Sequence, residues 1–148
     1  MKKTNIILTV LLTVSILCLF AVKFKAEREQ KSIDDMFANA YHNLTLNMLN
    51  ETLNEDNEDA LHKYKTENTR WSAIMITFYH HSSYSNKGNT ELNLIVTMLS
   101  QSAGYNATSE VDMDLELYRK LRDVPTDNFG NKEILKAAYA ALDAAFVE

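Results

Sequence analysis

MKKTNIILTVLLTVSILCLFAVKFK, residues 1–25, divides the chain into two regions of opposite character. Lys2 and Lys3 open the stretch, Lys23 and Lys25 close it, and the run 6–22 between them carries no charge. A helix over that run presents hydrocarbon and a few hydroxyls, a surface that is costly in water and comfortable in a bilayer. Seventeen residues span roughly 25 Å, slightly less than the ~30 Å hydrocarbon core. Phe24 and the methylene stems of Lys23 and Lys25 extend the match. The stretch predicts an N-terminal single transmembrane helix at 1–25, an uncleaved signal anchor with its span at 6–22. An extracytoplasmic domain at 26–148 follows.

Cleavage and lipidation are the competing readings. A signal peptidase site needs small residues at −3 and −1. Cutting after Ala21 places Leu19 at −3, and cutting after Ala26 places Phe24 there. A lipoprotein signal needs a small residue before the modified cysteine, and Leu17 precedes Cys18. A cleaved leader would make the protein secreted. Basic residues are nearly balanced across the span, with Lys2 and Lys3 ahead of it and Lys23, Lys25 and Arg28 behind. The short leading tail and large trailing domain favour the N-terminus inside and the C-terminal domain outside the cell membrane. Thr9, Thr13 and Ser15 within the span are expected to bond their own i−4 carbonyls, with contact to a partner helix as the alternative.

Charge separates the two regions further. Four of the 15 basic residues (Lys2, Lys3, Lys23, Lys25) precede residue 26, leaving 11 against all 20 acids, a formal −9 for the rest. Such a domain repels phosphate backbones, which argues against a nucleic-acid partner. Cys18, the single cysteine, lies in the apolar run, so the remainder can form no internal disulfide and holds no thiolate for catalysis. The short basic n-region MKKTN is bacterial in style, and a disulfide-free outer domain suits a Gram-positive surface. The Asn-x-Thr triplets at Asn43, Asn50 and Asn106 match the glycosylation acceptor pattern and arise easily by chance in a chain rich in Asn and Thr.

No glycine precedes Gly88 and the one proline is Pro125, a scarcity that favours long helices. The fold class expected is all-α, with an antiparallel bundle of about four to five helices behind the anchor. The first outer helix is placed at about 27–53, on the stripe Ile33, Met36, Phe37, Ala40, Tyr41, Leu44 and Met48. Ser32 with Asp35 reads as a capping box, unless the helix runs unbroken out of the span. The polar stretch 54–59 is a turn. A second helix at about 60–81 offers Tyr64, Trp71, Ile74, Met75 and Phe78 for burial, and 82–89 is a loop. A third at about 90–103 carries Leu92, Ile95, Val96 and Leu99, with Gly104 placed for a C-cap.

Residues 110–122 carry two patterns. Val111, Met113, Leu115 and Leu117 alternate with acids, as in a strand, whereas Leu117, Tyr118 and Leu121 have helical spacing and basic residues close the segment. Helix is the reading taken, with Ser109 and Asp112 as its capping box. A linker at 124–130 surrounds Pro125. The last helix starts near Asn131 and holds Ile134, Leu135, Ala138, Ala141, Leu142, Ala145 and Phe146. Its six alanines between Ala137 and Ala145 suit close backbone approach.

The histidines and carboxylates fall into no catalytic or metal-binding motif. His80 and His81 are adjacent, about 100° apart on a helix, His42 and His62 are isolated, and no HExxH occurs. All four are expected to be solvated or in loops. Asp112, Asp114, Glu116 and Asp123 follow a calcium-loop spacing, but Leu117 stands where that loop needs glycine. Glu55, Asp56, Glu58 and Asp59 read as a solvated turn. No nucleophile elbow, phosphate loop or CxxC is present. Trp71, Tyr79, Tyr84 and Tyr105 either line a ligand groove or fill the core, the second being the expectation. No catalytic, cofactor-binding or metal residue is therefore assigned, no cofactor is expected, and the chain is read as not an enzyme. The expected partners are the lipid bilayer through 6–22 and a protein, in an interaction, accessory or immunity-type role. The alternative is a small-molecule-sensing bundle, which resembles the ligand-binding part of bacterial chemoreceptors in architecture only and would act through a partner subunit.

Overall fold

The computed structural model describes residues 2–85, 88–104, 109–125 and 130–147, of which 6–85, 88–104, 109–125 and 130–146 include side chains. Five α-helices occur among the described residues: α1 (Lys2–Leu53), α2 (Glu58–His81), α3 (Thr90–Ser102), α4 (Leu115–Arg122) and α5 (Lys132–Ala145). Two short strands, β1 (Glu110–Val111) and β2 (Phe146–Val147), pair antiparallel with Glu110 opposite Val147 and Val111 opposite Phe146. The all-α class expected from the scarcity of glycine and proline holds, with this one two-stranded ladder added.

Two compact units divide the chain, 1–32 and 33–148. The first is helical, and its run 6–22 carries no charge on any face. Leu8, Leu12, Phe20 and Phe24 are each at least 63% exposed, and no residue from 6 to 29 is covered. Thr13 Oγ1 donates to the Thr9 carbonyl and Ser15 Oγ to that of Leu11, both at 2.9 Å, the local bonds expected of them. Lys23 pairs with Glu27 and Lys25 with Glu29 at 3.7 Å.

The second unit has a core built from one stripe of each helix. From α1 come Phe37, Ala40, Tyr41, Leu44, Met48 and Leu49; from α3, Leu92, Ile95, Val96 and Leu99. From α5 come Leu135, Ala138 and Leu142. Met36, expected in the first stripe, is 47% exposed: the stripe is narrower than its spacing suggests, and position 36 falls at its edge. In α2 the covered column is Asn68, Ser72, Met75 and Tyr79, while Tyr64, Trp71, Ile74 and Phe78 form a half-covered ridge beside it. Two polar residues occupy core-facing positions of α2, so the apolar pattern points one step around the helix from the true centre.

Capping departs from expectation at several points. Ser32 and Asp35 lie inside α1, which has no start there to cap. Asn57 caps α2 by accepting from the Ala60 N–H at 3.1 Å. Gly104 does not adopt a left-handed conformation, and Ala103 closes α3 through its N–H to the Leu99 carbonyl. Residues 110–114 are extended rather than helical, and Asp114, not Ser109, caps α4 through the Leu117 N–H at 2.6 Å. The period-two alternation was the operative signal here: Val111 and Met113 are buried and Asp112 and Asp114 exposed. The partner strand β2 continues directly from α5, and the Asp112 N–H reaches the Ala145 carbonyl at 3.0 Å. Leu115 continues the alternation but is 53% exposed, because the helix begins at that residue and resets the period. Asn131 caps α5, which packs against both α3 and α4. Ala138 faces inward, whereas Ala137, Ala140 and Ala144 face solvent.

Candidate functional site

Four places gather residues that carry chemistry. The first is an aromatic cluster: Phe37 lies 5.9 Å from Tyr41 and 5.4 Å from both Tyr79 and Tyr84, ring centroid to centroid. Tyr79 is core, as expected of it, and the Tyr84 hydroxyl donates to the Pro125 carbonyl at 2.9 Å. Beside it, the Asp34 carboxylate accepts from the Ser83 N–H and Oγ, both at 2.7 Å, tying α1 to the loop after α2. Burial raises the phenols of Tyr79 and Tyr84, and Asp34 and Asp35 raise Tyr84 further. Trp71 stands outside the cluster with the Arg70 guanidinium 5.6 Å from its ring, and Tyr105 lies outside the described residues.

The second place holds a histidine. His62, His80 and His81 are exposed as expected, but His42 is half-buried, its ring 6.1 Å from that of Tyr118 and its Nδ1 3.4 Å from the Tyr118 hydroxyl. This contact joins α1 to α4, elements 76 residues apart in sequence, so spacing alone could not reveal it.

An open depression of about 420 Å³ forms the third, lined by Asp112, Asp114, Glu116, Leu117, Lys120 and the alanines at 141, 144 and 145. Three residues of the calcium-like spacing therefore share one surface. Asp114 is engaged as a helix cap, Glu116 pairs with Lys120 at 2.8 Å, and Asp123 accepts from Arg122 Nε at 2.9 Å. No group of three or more metal-ligating side chains is found among the described residues.

The fourth is a polar seam between α1 and α2. Asn68, 3% exposed, donates through Nδ2 to Glu51 Oε2 at 2.5 Å, and Lys65 Nζ stands 4.0 Å from Glu51 Oε1. Burial raises the Glu51 carboxyl above its usual value; Lys65 and the Asn68 hydrogen bond pull it down, and Glu110 pushes it up. Nothing local in the sequence marks this seam, since Glu51 and Asn68 lie 17 residues apart and match no motif.

The largest uncovered apolar surface lies elsewhere, on residues 6–24. This part of α1 is the one helix among the described residues long and apolar enough to cross a membrane, with a mean hydropathy of 2.6 over its best window and none of that window covered. Membrane anchors and signal sequences share those properties. No protein-family model, curated protein or solved structure matches the chain.

Proposed function

We propose that this chain is a single-pass membrane protein whose helical domain engages a protein partner at the outer face of a bacterial cell membrane. The observation that supports it most is the contrast within α1, where every residue from 6 to 24 is exposed while the domain beyond residue 33 buries its own apolar stripe. A water-exposed helix apolar all round has no stable place except lipid or another apolar surface. The bulky residues at the −3 positions favour retention of the leader. The basic residues at both ends and the large trailing domain favour an inside N-terminus. A domain with its own core, and a sequence without a catalytic motif, suits docking better than turnover.

Fractionation of cells expressing the full chain tests the anchor: the protein sediments with membranes, resists a carbonate wash and keeps Met1–Lys25 by mass spectrometry. Mature protein free in the medium and trimmed near Ala26 overturns it. Protease digestion of intact cells removes the C-terminal domain if it lies outside and spares it if the topology is reversed. Crosslinking under native expression then recovers a discrete protein partner; recovery of lipid alone counts against the docking role.

A further inference from the structure

The seam between α1 and α2 contains a buried acceptor with no donor. Asn68 gives Nδ2 to Glu51 and leaves its Oδ1 buried and without a hydrogen bond among the described residues. Turning the amide round does not help while Glu51 is ionised, because Oδ1 would then oppose a carboxylate, acceptor against acceptor. At 4.0 Å from Lys65, Glu51 Oε1 is too far for a hydrogen bond. A single proton resolves both defects. A neutral carboxyl carries one donor and one acceptor, the complement of an amide's acceptor and donor.

We propose that Glu51 and Asn68 form a proton-operated latch between α1 and α2, in which protonated Glu51 donates to Asn68 Oδ1 while accepting from Asn68 Nδ2. The proton comes from solvent and binds the Glu51 oxygen now facing Lys65; that oxygen turns toward Asn68, and no other bond changes. The charged groups that face Glu51 are Lys65 from α2, which favours the ionised form, and Glu110 from β1, which favours the neutral one. The Glu51 side chain is 23% exposed, so solvent protons reach it and water screens its charge only in part.

The direction follows by linkage. The folded chain holds this proton more tightly than the unfolded chain. The stabilisation is therefore complete below the unfolded value and is lost as pH rises through the raised folded value. Acidification tightens the bundle.

Glu51→Gln tests the latch, since its amide donates to Asn68 Oδ1 and accepts from Nδ2 at every pH. Thermal unfolding of the full chain in detergent micelles is followed by Trp71, the one tryptophan. At about pH 7.5 the variant unfolds about 3 °C above the wild type, and the gap narrows toward about pH 4.5. Glu110→Gln in the wild-type background lessens that narrowing. A variant at or below the wild type at neutral pH, or a gap constant with pH, overturns the latch. Titration of the Glu51 side-chain carbonyl by carbon NMR gives a readout independent of folding. A midpoint above the ordinary glutamate range supports the latch, and one within that range overturns it.

Discussion

Leu11 and Leu44 are the same side chain on the same helix, yet Leu11 is 60% exposed and Leu44 is fully buried. The difference lies in what surrounds each around the helix. Near Leu11 every direction is uncharged and mostly apolar, with hydroxyls of Thr13 and Ser15 bonded back to the helix, so no single face can be covered while the others stay in water. Near Leu44 the apolar residues form one stripe, with Asn43, Asn47 and Asn50 on the remaining surface, and a stripe is what a bundle buries. Propensity for helix is common to both regions. Angular distribution of the apolar side chains distinguishes them.

The largest predicted effects break that contrast directly. Leu44→Ala removes a fully buried side chain and lowers the stability of the bundle by about 3 kcal/mol, measured by chemical denaturation in micelles. Leu11→Ala leaves the same unfolding curve unchanged, because nothing packs on Leu11. The reverse experiment is Leu11→Arg, which adds a cost of about 3 kcal/mol to placing the helix in a bilayer and lowers the membrane-bound fraction without moving the denaturation midpoint. If Leu11→Ala unfolds the bundle, residues 6–24 are packed and the contrast fails.

A smaller version of the comparison exists between two glycines. Gly88 and Gly130 both have left-handed backbones, with φ of +63° and +61°. A Cβ on Gly88 meets nothing within 4 Å, whereas one on Gly130 comes within 2.8 Å of Leu135 Cδ1 and 2.9 Å of its Cγ. Leu135 is fully buried and has little room to give. Gly88→Ala therefore costs about 1 kcal/mol, the backbone strain alone. Gly130→Ala costs about 2 kcal/mol or more, strain plus displacement of a core leucine. Equal losses at the two positions indicate that Leu135 is free to move aside.

What the sequence reveals follows the same line between local and distant causes. The Phe37–Met48 stripe, the turn before α2 and the leucines of α3 are legible because helix periodicity is a local property. Residues 110–114 have the spacing of a helix start yet leave the helix, because the strand that pairs with Glu110–Val111, Phe146–Val147, lies more than thirty residues away. The alternation of Val111, Asp112, Met113 and Asp114 is local, but the helical spacing of Leu117, Tyr118 and Leu121 directly after it masks the change of period. Asn68 and Ser72 hid the centre of α2 because polar side chains in covered positions are justified only by what they meet across the seam. The His42–Tyr118 contact and the Glu51–Asn68 bond were out of reach for the same reason. Residues 6–24 are legible as an exposed apolar helix, since that much depends on composition and length alone.

The finest prediction concerns a group that is buried without a partner. Tyr41 is fully covered and its hydroxyl makes no hydrogen bond among the described residues, although its ring packs 5.9 Å from Phe37. Burial pushes the phenol far above its ordinary value. A desolvated hydroxyl without a partner is a net cost, and Tyr41→Phe removes it while leaving the ring in place. The variant gains about 1 kcal/mol in stability at neutral pH. The raised phenol adds a pH dependence of known sign. Below the unfolded value, near pH 10, it adds no pH dependence; above that value the wild type loses stability as pH rises, because unfolded tyrosine ionises and folded Tyr41 does not. The gap between variant and wild type therefore widens above about pH 10, with Tyr79 and Tyr84 supplying a background common to both. A variant that loses stability shows that the Tyr41 hydroxyl has a partner, and the core around Phe37 is then polar at a point where it now reads as dry.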